Sequence, residues 1–237
     1  MRTYLGVLLA VLLIASSGVG SVAMSSSDDS VSNSMMECDF PVTRTDATGT
    51  KVTVEQIPNR VVVLAPSTAQ TMWEIGAKDI VVGMPVNKYT AYLEGYQKRT
   101  NVVNARGIPV IEKVIEANPD LVLAANIITD NTVQTLREEN ITVYKFRMAS
   151  SIQDIMNKTM LTGRLTGRCN GAHSTVEWMK QKLSVVREAV KGENRPSIFY
   201  HLGAGWTAGE GSFIHRVIQI AGGHNIAAEA NLSGAYG

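Results

Sequence analysis

The chain has 237 residues, 45% of them hydrophobic and 18% charged, an ordinary globular composition long enough for one or two domains. Its formal net charge of +1 offers neither a basic stripe to neutralise phosphates nor an acidic block to hold a basic partner. Nucleic acid is therefore excluded as the expected ligand.

At the amino terminus, Arg2 precedes an apolar run over residues 4–14, and small residues follow to Ala23. That is the order of a secretory signal, and the run is shorter than the roughly 20 residues that span a bilayer core. Residues 1–24 are thus expected to be a signal peptide and the protein to be exported, to a periplasm or the outer face of the cytoplasmic membrane. Residues 25–37 are rich in Ser, Asp, Asn and Met without an apolar period, which predicts a disordered tether. Cys38 and Cys169 are the two cysteines. In an exported chain, an even count suggests one disulfide between them.

Residues 41–45 and 51–54 flank a turn at 46–49, the pattern of a hairpin. The apolar run 60–65 predicts a buried strand, and Pro66 with Ser67 opens a helix that reaches Gly76; Met72 and Trp73 fall on its apolar side. Residues 80–82 read as a strand closed by Gly83, followed by a loop carrying Tyr89, Tyr92 and Tyr96. Next come a helix at 111–117, a strand at 121–125 that stops at Asn126, a helix at 132–139 and a strand at 142–146. This alternation predicts a parallel α/β sheet with helices on both faces. The ligand side of such a sheet is the carboxyl end of its strands.

From 151 to 191 the alternation stops, with helices at 152–165 and 172–190 separated only by residues 167–171. It resumes with a strand at 197–200, a Gly-rich loop at 203–211 and a helix at 213–221 that Gly222 and Gly223 end. The expected layout is a first α/β lobe at 38–150, a helical connector at 151–192 and the start of a second lobe at 193–237, which looks incomplete.

Catalytic and cofactor signatures are weak. Gly203, Gly205 and Ala208 outline a dinucleotide fingerprint, but the following helix starts near Ser212, too late for its amino terminus to hold a pyrophosphate, and Trp206 obstructs the loop. Neither a G-x-S-x-G elbow nor a G-x-x-x-x-G-K-S/T loop occurs. His173, His201, His215 and His224 lack metal-ligand spacing. No cofactor, metal or catalytic residue is expected; an exported α/β enzyme using the Gly-rich loop and a zinc- or manganese-binding importer protein stand as the alternatives.

Three stretches carry a resemblance: RVVVLAPSTAQTMWEIGAKDIVVG at 60–83, IEKVIEANPDLVLAAN at 111–126, and WTAGEGSFIHRVIQIAGGHNIAAE at 206–229. In order and spacing they resemble the helical-backbone (class III) periplasmic substrate-binding proteins of ABC importers for cobalamin, ferric siderophores and haem. The resemblance implies two parallel-sheet α/β lobes joined by a long helical connector. It also implies a monomer that captures cobalamin or a ferric chelate between its lobes and delivers it to a membrane permease, without catalysis. Glu112 matches an acidic residue that docks on permease arginines, a pairing suited to carboxylate and guanidinium. Ser67, Tyr89, Tyr92, Asn126 and Trp206 sit at strand ends facing the expected cleft, where an aromatic wall suits a flat macrocycle such as a corrin. Arg106 is either a partner for an anionic siderophore complex or a solvated loop residue.

Overall fold

The computed structural model describes residues 38–203, 206–230, 233 and 234. The expected signal peptide and tether, and Gly205 of the Gly-rich loop, lie outside them. Among the described residues, no helix is long and apolar enough to cross a membrane.

The chain opens with an antiparallel hairpin, β1 (Val42–Thr45) and β2 (Lys51–Val54), in the register Val42 to Val54 and Thr45 to Lys51. There follow β3 (Val61–Val63), α1 (Pro66–Glu74), β4 (Val81–Met84), β5 (Thr100–Asn101), α2 (Ile111–Glu116), β6 (Leu121–Ala124), α3 (Asp130–Glu138) and β7 (Val143–Lys145). The five strands from β3 to β7 make one parallel sheet in the order β5-β4-β3-β6-β7. Their continuous Val and Leu runs are explained by burial on both faces. Val61, Val63, Leu121 and Leu123 turn to one side with α1. Val62, Val122, Ala124 and Val143 turn to the other, where Val114 of α2 and Val133 and Leu136 of α3 cover them.

Then α4 (Ile152–Thr166) and α5 (Cys169–Ala189) pack on each other and on α1, with Leu165 and Ala172 buried in the first of these cores. The remaining elements are β8 (Ser197–Ile198), β9 (His201–Gly203), β10 (Trp206–Thr207), β11 (Glu210–Gly211), α6 (Phe213–Ile220), β12 (His224–Asn225), α7 (Ile226–Glu229) and β13 (Ser233–Gly234). β8 pairs in parallel with β12, and β11 with β13. The fold is α/β with a parallel sheet, as the alternation implied.

Details differ from the reading of the sequence. Gly83 does not close a strand but lies within β4, and it is a glycine where a Cβ would stand 2.8 Å from Val102 and 3.0 Å from Val62. The edge strand β5 has no apolar run to announce it. The interval between the long helices is only Gly167 and Arg168 rather than 167–171. Gly167 ends α4 in the left-handed region, φ 69°, while Gly171 is inside α5, where a Cβ would stand 2.0 Å from the carbonyl oxygen of Ile75. Backbone-to-backbone contact between α1 and α5 thus demands a glycine. The stretch expected as a Gly-rich loop at 203–211 contains the short strands β10 and β11, and β9 ends at its first residue.

Two tethers hold the hairpin and the chain start. Cys38 and Cys169 form a disulfide with Cα atoms 5.7 Å apart and a sequence separation of 131, which the chain-entropy model values at about 4–5 kcal/mol. Asp46 is fully buried in the hairpin turn. Its Oδ1 accepts from the Thr48 N–H (2.8 Å) and hydroxyl (2.7 Å), and its Oδ2 from Arg137 of α3 (2.8 Å) and the Lys145 N–H of β7 (3.1 Å). Burial alone would push this carboxyl up, but the bonds from Thr48, Lys145 and Arg137 outweigh it and hold the pKa below its ordinary value.

A depressed carboxyl contributes stability that is complete above its unfolded value of about 3.9 and is lost as pH falls through the folded one. Asp46→Asn should therefore lower unfolding free energy at neutral pH by about 1.5–3 kcal/mol. It should also flatten the decline of stability with acid, both measured by urea denaturation across pH.

Candidate ligand-binding site

Parallel pairing brings the chain out of β3, β6 and β7 at one edge of the sheet. Val63 lies beside Leu123, and Ala124 beside Lys145, so the segments that follow lie side by side: Ser67 at the start of α1, Asn126 after β6, and Arg147, Met148 and Ala149 after β7. Together with α4 and α5 they enclose a cavity of about 470 Å³. α1 contributes Gln70, Thr71 and Glu74; α4 contributes Ile155, Lys158 and Thr159; α5 contributes Thr175, Trp178 and Met179.

The polar groups in this wall fall into two sets. The hydroxyls of Thr71, Thr159 and Thr175 donate to helix carbonyls, those of Ser67, Ile155 and Gly171 respectively, and are committed to the scaffold. The side chains of Ser67, Glu74, Asn126 and Arg147 make no hydrogen bond to another described residue and face solvent or a ligand. Lys158 is half-buried, and desolvation pushes its ammonium below the usual lysine range. Met148, Trp178 and Met179 add apolar surface, with Met148 66% and Trp178 56% exposed. An apolar lining with a few convergent polar heads is the composition of a small-molecule site.

The expected site residues are thus divided by the structure. Ser67 and Asn126 line the cavity. Tyr92 stands outside it but donates from its hydroxyl to Gln70 Oε1 at 3.1 Å. Tyr89 is exposed, with the Lys88 ammonium 5.1 Å from its ring centroid. Arg106 is exposed in a tight turn in which its N–H donates to Asn104 Oδ1 at 2.9 Å, and Trp206 is half exposed on β10; neither lines this cavity. Glu112 is exposed in the first turn of α2, on the opposite face of the sheet from α1, α4 and α5.

Ser67 and Asn126 are the cavity residues that the reading of the sequence selected; among those it missed are Arg147, Met148, Lys158 and Trp178. Arg147 and Met148 follow the strand-end rule that selected Asn126 and could have been found by it. Lys158 and Trp178 had no such signal, because helix packing places them. A larger cavity, about 910 Å³, lies between α4, α5, residues 190–195 and α6. Ser67, Asn126 and Arg147 do not reach it, so the strand-end cavity is the better placed of the two for ligand capture. Among the described residues, no three His, Cys, Asp or Glu side chains gather as a metal site would require.

A family model described as periplasmic binding protein matches residues 61–237. The chain belongs to that family. Proteins named cobalamin-binding protein in two strains of Halobacterium salinarum are 45% identical to it over 202 residues, covering 84% of this chain and 54% of theirs. The chain therefore spans about half the length of these curated relatives. The Bacillus subtilis protein named uncharacterized ABC transporter substrate-binding lipoprotein YvrC is 28% identical, covering 97% of this chain and 74% of its own.

Among solved structures, heme binding protein HmuT matches with a TM-score of 0.64 at 22% identity, over 82% of this chain and 65% of its own. The periplasmic vitamin B12 binding protein BtuF of Vibrio cholerae matches with a TM-score of 0.62 at 21% identity, over 76% and 69%. At such identities the likeness establishes the fold, and function must come from the site.

Proposed function

We propose that this protein captures cobalamin outside the cytoplasm and delivers it to the permease of an ABC importer, with binding and release as its whole chemistry. The observation that carries this reading is the strand-end cavity, with Ser67, Asn126 and Arg147 at its edge, in a chain 45% identical to a protein named for binding cobalamin. Trp178, Met148 and Met179 supply apolar and aromatic surface for a large macrocycle, while Ser67, Gln70 and Asn126 supply partners for its peripheral amides. The relative's name favours cobalamin over a ferric siderophore.

Tyr89, Tyr92, Arg106 and Trp206 are read as outer contacts of the same ligand, with Tyr92 linked to the cavity through Gln70. Residues 38–150 are read as the first lobe, 151–192 as the connector and 193–237 as the start of the second, with the protein acting as a monomer. Export through a signal in residues 1–24 is supported by the names of the family and of YvrC.

Glu112 is read as the docking acid. Its side chain is exposed while Val114 of the same helix is buried, and α2 lies across the sheet from the cavity-lining helices. A permease engaging Glu112 would leave the cavity unobstructed.

Isothermal titration of the purified chain with cyanocobalamin should give saturable binding of about one ligand per chain at micromolar or tighter affinity; no heat of binding up to millimolar ligand would overturn the reading. Glu112→Ala should leave that isotherm unchanged and weaken capture by permease-containing proteoliposomes. A weakened isotherm would remove the docking role.

A further inference from the structure

Lys158 occupies a costly position. It projects from α4 with its ammonium 4.8 Å from the ring centroid of Phe146, half out of water, and no carboxylate of the described residues pairs with it. Withdrawing a cation from water without an anion is unfavourable, and the ring face offsets part of that cost. Arg147, at the end of β7, also makes no ion pair with a described residue.

Both cations line the strand-end cavity and also a second one of about 410 Å³. With Met148 and Ala149 they form the wall common to the two. The acids of these cavities are placed otherwise. The Asp154 carboxylate accepts from the N–H and hydroxyl of Ser150, at 2.9 and 2.8 Å. Glu74 belongs to α1 and lines only the first cavity. The wall shared by the two cavities is therefore cationic.

We propose that Lys158 and Arg147 form a subsite for the phosphodiester of a corrinoid's nucleotide loop. The proposal rests on the corrinoid reading above. The peripheral chains of the corrin in cobalamin are neutral amides, and the phosphodiester is the fixed anion of its nucleotide arm. Arginine can fork two phosphate oxygens, and lysine adds a point charge that the Phe146 ring holds in place. Met148, in the same wall, adds apolar surface beside the two cations. The protein would then distinguish corrinoids that carry the nucleotide loop from those that lack it.

The test compares cyanocobalamin with dicyanocobinamide, which lacks the phosphodiester, the ribose and the base, on the wild-type full chain and on Lys158→Met and Lys158→Arg. Wild type should prefer cyanocobalamin. Lys158→Met should weaken cyanocobalamin binding roughly ten-fold and cobinamide binding much less, so that the affinity ratio falls, with circular dichroism showing that the variant is folded. Lys158→Arg should retain most of the preference, and the preference should shrink as salt is raised. If wild type binds both ligands and Lys158→Met leaves their affinity ratio unaltered, the subsite is refuted while the corrinoid reading stands. If wild type binds neither, the corrinoid reading fails and the subsite with it.

Discussion

Parallel, in-register pairing of β3, β6 and β7 is the constraint on which the candidate site depends. Because Val63 lies beside Leu123 and Ala124 beside Lys145, three segments far apart in sequence leave the sheet at one edge. Ser67, Asn126 and Arg147 on these segments line the cavity. A slip of one residue in the β6–β7 register would turn Val143 and Tyr144 to the wrong cores and move Arg147 away from the cavity. The hydrophobic contents of the two faces therefore fix the geometry of the polar rim.

The two faces of the sheet are covered by different helices. On one side, α1, α4 and α5 wall the cavity and meet closely enough that only glycine fits at position 171. On the other, α2 and α3 cover the second core and expose Glu112. The disulfide and the Asp46 network secure this arrangement from outside the sheet. Cys38 is joined to the first residue of α5, and Asp46 binds the hairpin to both α3 and β7. β7 is thereby anchored just before the segment that carries Arg147 and Met148.

Much of this was legible in the sequence for a physical reason. Buried parallel strands need continuous apolar runs, and those at 60–65, 121–125 and 142–146 declared themselves, as did the helices between them. β5, two polar residues at the edge, carried no such signal. Gly83 and Gly171 were readable as glycines but not as packing glycines, since the demand comes from Val62, Val102 and Ile75 far away in sequence. Within the cavity, Ser67 and Asn126 followed from the strand-end rule, and Arg147 could have. Lys158 and Trp178 depend on how α4 and α5 are rotated against the sheet, which local sequence does not specify.

The central claim is that ligand is captured at the strand-end edge rather than in the larger cavity beside α6. Amide and side-chain NMR shifts of the isotopically labelled chain, recorded with and without saturating cyanocobalamin, test it most directly. Shifts concentrated at Ser67, Asn126, Arg147, Lys158 and Trp178 are the expected result; shifts confined to Arg187, Arg195 and Arg216 would place the ligand in the other cavity and contradict it.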